Sequence, residues 1–195
     1  MSAGPALTGR FEEAFVYAHR LHAAQRRKGT QIPYISHLMA VAALVLEAGG
    51  DEDLAIAALL HDAVEDQGGL PRLEEIRGKF GARVAGTVEG LSDSFSLPKP
   101  PWRERKEAYL AHLRGAPADT LLVSLADKVH NARTILADLQ QEGEAVWGRF
   151  TGGKEGSLWY YRSLAAFFEG AAPGGLAGEL SRVVSAIERI AERSA

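Results

Sequence analysis

Apolar residues in this chain recur at spacings of three and four almost throughout, and no segment keeps the two-residue alternation of a strand for long. That pattern restricts the fold to helices packed on helices. The first, FEEAFVYAHRLHAAQ, places Phe11, Phe15, Ala18 and Leu21 or His22 near one face. SHLMAVAALVLEAGG reads as a helix with Ser36 as its N-cap and a glycine pair at its end. DEDLAIAALLHDAVEDQGG reads as one helix, acidic at its positive dipole end and closed by Gly68 and Gly69. LPRLEEIRGKFG and ARVAGTVEGLSD predict two short helices with a glycine joint, SFSLPKPPW a loop, and RERKEAYLAHLRG another helix. PADTLLVSLADKVHNARTILADLQQEG is the longest, followed by a glycine-rich break at FTGGKEG and by helices in SLWYYRSLAAFFEGA and LAGELSRVVSAIERIAERS. The last carries an apolar stripe through Leu180, Val183, Val184, Ile187 and Ile190, expected to be a core face. There is no internal repeat, so the expectation is an all-α, single-domain bundle over residues 1–195.

One of these helices carries chemistry that packing does not explain. In ALLHDAVEDQGG, His61 and Asp62 precede Glu65 and Asp66 inside an apolar setting. Buried carboxylates cost several kcal/mol unless compensated, on the order of 3–5 kcal/mol when a partner is missing. On one helix His61 stacks on Glu65 and Asp62 on Asp66, giving two ligand candidates and, a turn later, two carboxylates for acid–base work. His37 opens another apolar helix, and Asp127 interrupts the apolar face of LLVSLADKVHNARTIL with Asn131 one turn on. Two imidazoles and two carboxylates suit manganese, iron or zinc with positions left for water and substrate. With zero cysteines, thiolate ligation and disulfides are excluded. His19, His22, His112 and His130 lack this context and read as packing or surface residues.

The net charge of −3 argues against a nucleic-acid partner. The longest apolar run, LMAVAALVL, is too short to span a membrane, and the N-terminus has no secretory pattern, so a cytoplasmic location is expected.

The order His37, His61-Asp62, Asp127 resembles the HD-domain metal-dependent phosphohydrolases. Within that superfamily HDAVED and LADKVHNAR are similar to alarmone hydrolases of the RelA/SpoT type, in particular the small stand-alone ones, which remove the 3′-pyrophosphate of (p)ppGpp. RRKGTQIPYISH resembles their first motif, and the similarity runs from Gln25 to Ala166. The resemblance implies an HD-type helical bundle and a manganese ion held by His37, His61, Asp62 and Asp127. It also implies that Glu65 and Asp66 act on the attacking water and that a nucleotide is the partner. Arg27 and Lys28 match positions near the nucleotide, Asn131 one that contacts the nucleoside, and Tyr161 one beside base or ribose, a role open also to Tyr160. Arg105 and Lys106 match the end of the family's basic linker, the rest of which differs here. Ser157 stands where some relatives carry a basic residue, with Lys154 as a candidate replacement.

Phosphoryl transfer needs cations beyond the metal, and Arg27, Lys28, Lys128, Arg105 and Lys106 are the candidates. Two other functions fit the same residues: an HD-domain phosphohydrolase acting on dNMPs or NADPH, and a helical module that binds a nucleotide or partner around a structural metal.

Overall fold

The computed structural model describes residues 6–92, 99–172 and 174–193. Every named element among them is helical: α1 (Gly9–Leu21), α2 (Ile35–Glu47), α3 (Glu52–Leu60), α4 (Ala63–Asp66), α5 (Gly69–Phe80), α6 (Ala82–Leu91), α7 (Trp102–Leu113), α8 (Ala118–Glu142), a 3₁₀ helix (Gly143–Arg149), α9 (Gly153–Ala171) and α10 (Gly175–Arg193). Extended pairing among the described residues is one isolated bridge, Arg26 to Pro33. The all-α reading holds. No described helix is long and apolar enough to cross a membrane. Of the loop SFSLPKPPW, residues 94–98 lie outside the described set.

Contacts divide the chain into two units. The first takes in α1 to α6, Lys99 and α8 as far as Ala126. At its centre is α3, in which every residue from Leu54 to Leu60 is buried. Such an all-round apolar helix must be covered on several sides, and α1, α2 and α6 pack on it. Asp51 caps it by accepting the Leu54 N–H at 3.1 Å, and Thr8 caps α1 through the Arg10 N–H at 3.2 Å. The α2–α3 turn needs Gly50, because a Cβ there would stand 2.6 Å from Val45 Cγ1. The predicted joint between α5 and α6 is Gly81, at φ +93°.

The second unit holds α7, α8 from Asp127 onward, the 3₁₀ helix, α9 and α10. Leu180, Val184 and Ile187 of the predicted stripe are buried, and α10 packs on α9. Val183 and Ile190 are only half-buried.

Four local expectations are corrected. Phe11 and Phe15 are only half-buried, and the buried face of α1 is Ala14 and Ala18, continued by His22. Ser36 is not an N-cap: α2 begins at Ile35, and the Ser36 hydroxyl donates back to the Pro33 carbonyl at 2.8 Å. The HDAVED helix is two helices, α3 and α4, with His61 and Asp62 at the junction; the Asp66 N–H still bonds the Asp62 carbonyl at 3.0 Å, so helical spacing survives the break. The glycine-rich break is mostly helix, with α9 starting at Gly153. Its glycines serve a close approach, since Trp102 lies against Gly152 and Gly156 and a Cβ on Gly152 would fall 2.6 Å from Trp102 Cη2.

Candidate metal centre and acid pair

In the first unit, the α3–α4 junction brings His61 and Asp62 beneath the first turn of α2, which carries His37. Both histidines are buried, and their rings meet edge to face with centroids 5.1 Å apart. His61 Nδ1 lies 2.8 Å from the Ala58 carbonyl oxygen. A carbonyl can only accept, so Nδ1 carries the proton and the neutral ring presents its lone pair at Nε2. That Nε2 is 3.0 Å from Asp62 Oδ2, and His37 Nε2 is 3.6 Å from the same oxygen. Electron-rich atoms from three side chains thus converge, two of them on buried rings. This donor set fits a borderline divalent cation, and His61 has the carbonyl-anchored tautomer that metal-ligating histidines use.

Tyr34, absent from the sequence-derived candidates, closes this cluster. Its hydroxyl donates to Asp62 Oδ2 at 2.6 Å, and its ring stacks on His22 (5.2 Å, 20°) and meets His37 edge-on (5.5 Å). The only sequence signal is its place in PYISH, one turn before His37. Arg27 lies over the Tyr34 ring, with Cζ 5.6 Å from the centroid. Lys28 is exposed on the same turn.

The acid pair follows on α4. Glu65 accepts from Lys99 Nζ at 2.7 Å, a cation the sequence reading passed over. Asp66 accepts from Gln25 Nε2 at 2.8 Å, while Gln25 Oε1 receives Gln67 Nε2 at 2.7 Å and sits 2.6 Å from His22 Nδ1. Asp66 keeps solvent access, yet surrounding protein atoms and the Asp62 charge hold its carboxyl above the usual range, against the Gln25 amide. Burial holds His22 below the ordinary histidine value, with Gln25 opposing, so the ring is neutral near pH 7. His22 is a packing residue, as expected, that also fixes an amide.

In the second unit, Asp127 is buried at the point where α8 enters it. Its Oδ2 accepts from Lys128 Nζ at 2.6 Å and its Oδ1 from Asn131 Nδ2 at 2.5 Å. Burial works against the Lys128 charge, but Asp127, Tyr160 and Tyr109 outweigh it and hold its pKa well above the usual lysine value. Tyr160 is buried, with Lys106 Nζ 5.2 Å from its ring centroid, and burial raises its hydroxyl above the ordinary tyrosine range. Tyr161, next to it with centroids 5.8 Å apart, is half-buried and so more accessible. Arg105 Nε donates to the Pro100 carbonyl at 3.2 Å. Lys154, the candidate replacement for a basic residue at Ser157, pairs with Glu144 and donates to the Ala191 carbonyl at 2.8 Å. Ser157 is buried.

A family model described as HD domain matches residues 14–158. The chain is 40% identical over 126 residues to guanosine-3′,5′-bis(diphosphate) 3′-pyrophosphohydrolase MESH1 of Xenopus tropicalis, covering 63% of this chain and 68% of that protein. It is 39% identical over 127 residues to a probable guanosine-3′,5′-bis(diphosphate) 3′-pyrophosphohydrolase of Synechocystis, and spans only 16% of that longer protein. Among solved structures it is similar, at TM-score 0.77 and 28% identity over 93% of this chain and 97% of the other, to a metazoan ortholog of SpoT that hydrolyzes ppGpp and plays a role in starvation responses. The chain therefore belongs to the HD-domain family, in the group of the MESH1- and SpoT-type hydrolases.

Proposed function

We propose that this protein is a metal-dependent hydrolase that removes the 3′-pyrophosphate of ppGpp, giving GDP and pyrophosphate, with manganese as the metal. The observation that carries this reading is the convergence of His37, His61 and Asp62 in a chain 40% identical to a ppGpp 3′-pyrophosphohydrolase. His37, His61, Asp62 and Asp127 would hold the ion. When bound, the ion supplies Lewis-acid activation of water and of the phosphoryl group.

The chain's own residues supply the rest. Glu65 is the acceptor for a proton of the attacking water, and it exchanges Lys99 for that water when substrate arrives. Asp66, held above the usual carboxyl range and aimed by Gln25, positions the water or returns a proton to the leaving 3′ oxygen. The pyrophosphoryl group transferred to water carries several negative charges, and an acidic site needs fixed cations to hold it. Arg27, Lys28 and Lys99 are the candidate cations in the first unit; Arg27 is best suited, since a guanidinium can grip phosphate in a bidentate way. Asn131, Tyr161, Arg105 and Lys106 would receive the nucleoside side of the substrate.

The test is product analysis by anion exchange after incubating metal-stripped, manganese-reloaded protein with ppGpp, NADPH and a dNMP panel. GDP and pyrophosphate formed from ppGpp well above the other substrates supports the reading. Turnover of another nucleotide with ppGpp untouched overturns the substrate and keeps the chemistry. No turnover with manganese bound overturns the enzyme.

A further inference from the structure

We infer that Tyr34 is a positioning residue with two separable roles: its hydroxyl fixes the Asp62 carboxylate for the metal, and its ring carries the Arg27 guanidinium that meets phosphate. The second role rests on the proposed function, while the first needs only a metal.

Tyr34 sits at the N-terminal boundary of α2 in helical geometry (φ −61°, ψ −30°), yet its side chain caps nothing. The hydroxyl is spent on Asp62 Oδ2, the oxygen that also faces the two histidine Nε2 atoms. A carboxylate oxygen among lone pairs needs a donor to hold its direction, and the phenol is placed to give one. Outer hydrogen bonds of this kind orient ligands, and their loss typically weakens metal binding by about 10–100-fold. The ring is immobilised independently, stacked on His22 and set against His37.

Arg27 reaches the opposite task from a stapled turn. Its N–H bonds the Ile32 carbonyl at 2.9 Å, its carbonyl receives both Thr30 N at 2.9 Å and Thr30 Oγ1 at 3.0 Å, and Gly29 at φ +75° lets the chain reverse. The Tyr34 N–H closes the turn on the Gln25 carbonyl at 3.0 Å. The backbone thereby lays the guanidinium over the ring whose hydroxyl touches the metal-site carboxylate. One side chain links the cation for phosphate to the anion for metal.

Two substitutions separate the roles. Tyr34→Phe keeps the ring and removes the hydroxyl; Tyr34→Leu removes both. Calorimetry reads manganese affinity, and then the affinity for inorganic pyrophosphate at saturating manganese. Tyr34→Phe should bind manganese about tenfold more weakly with pyrophosphate affinity unchanged. Tyr34→Leu should in addition weaken pyrophosphate by roughly threefold, the scale of an exposed cation–π contact, and that loss should vanish in an Arg27→Ala background. Tyr34→Met replaces the leucine variant if the latter fails to melt cooperatively. Wild-type manganese affinity in Tyr34→Phe overturns the first role, and a pyrophosphate loss that adds to that of Arg27→Ala overturns the second. Wild-type protein that binds manganese but leaves ppGpp intact refutes the proposed function, and the manganese comparison still decides the role of the hydroxyl.

Discussion

Asp127→Ala removes more than a proposed metal ligand, and the extra cost is measurable without metal. Asp127 Oδ2 lies 2.6 Å from Lys128 Nζ, in a pair whose side chains are 9% and 15% exposed. Stripping the carboxylate leaves a mostly buried ammonium that loses its strongest attraction. Breaking a buried pair in this way costs about 3–5 kcal/mol. The lysine can escape by shedding its proton, and from an ordinary pKa of about 10.4 that costs about 1.4 kcal/mol per pH unit. At pH 7 this caps the penalty at about 5 kcal/mol, consistent with the first figure. For a chain of this size each kcal/mol shifts Tm by about 2–4 °C, so the variant should melt roughly 10 °C below wild type.

The assay is thermal unfolding in EDTA, with Asp127→Ala/Lys128→Met as the partner variant. The double variant should regain at least half of the lost Tm, because the orphaned charge is gone. The pH dependence has a definite sign. In wild type the Lys128 pKa is raised, so its contribution is present at all pH values below the unfolded lysine value and is lost only as pH rises through the folded one. In Asp127→Ala the folded pKa is depressed instead, so the unfolded chain binds the proton more readily and stability rises with pH. The gap between the two proteins should narrow from pH 7 to pH 9. Added manganese at about 100 times its Kd should stabilise wild type by about 2.7 kcal/mol and Asp127→Ala not at all. A variant that melts within about 2 °C of wild type in EDTA, or a double variant no better than the single, refutes this account of the Asp127–Lys128 pair.

Glu65→Gln should keep manganese affinity within about threefold and lose turnover of ppGpp by at least about 100-fold, the scale of a general base; a wild-type rate removes Glu65 from the chemistry. Gly152→Ala forces a methyl to within 2.6 Å of Trp102, so the indole must shift, at a cost of about 1–3 kcal/mol and a Tm lower by several degrees; an unchanged Tm would show that Trp102 has room to move. Asp66 has a raised carboxyl pKa in the folded protein, so its contribution to stability falls as pH rises from the unfolded value through the folded one. Asp66→Asn in EDTA should therefore gain Tm relative to wild type as pH rises from about 4, the unfolded aspartate value, and a difference that stays constant on raising the pH from there contradicts the raised value.

The candidate ligands were legible because they are out of place. His61, Asp62 and Asp127 stand in apolar helices where burial alone penalises them, and that mismatch can be read along one chain. The residues that orient them carry no such mark. Tyr34 and Gln25 are ordinary polar residues in a connecting segment, and Lys99 sits in a proline-rich loop; only folding reveals that their partners are Asp62, Asp66 and Glu65. The same limit explains the helix errors. Apolar periodicity runs unbroken through HDAVED, while the junction of α3 and α4 coincides with a side-chain contact, His61 Nδ1 on the Ala58 carbonyl. Glycines 152 and 156 read as a break because glycine most often marks one, whereas here they make room for an indole fifty residues away in sequence.

That division has a physical consequence for how such a site varies. Replacing a ligand leaves a buried charge or lone pair unmatched, so the penalty falls on folding as well as on metal binding, as worked out for Asp127. Removing only an orienting group, as Tyr34→Phe removes the hydroxyl, keeps the ring on His22 and His37 and changes the direction of a carboxylate. The expected signature is opposite in the two classes: ligand variants lose Tm even in EDTA, while orienting variants melt like wild type in EDTA and differ only when manganese or substrate is present. Tyr34→Phe and Asp127→Ala, measured side by side in EDTA and in manganese, separate the classes directly.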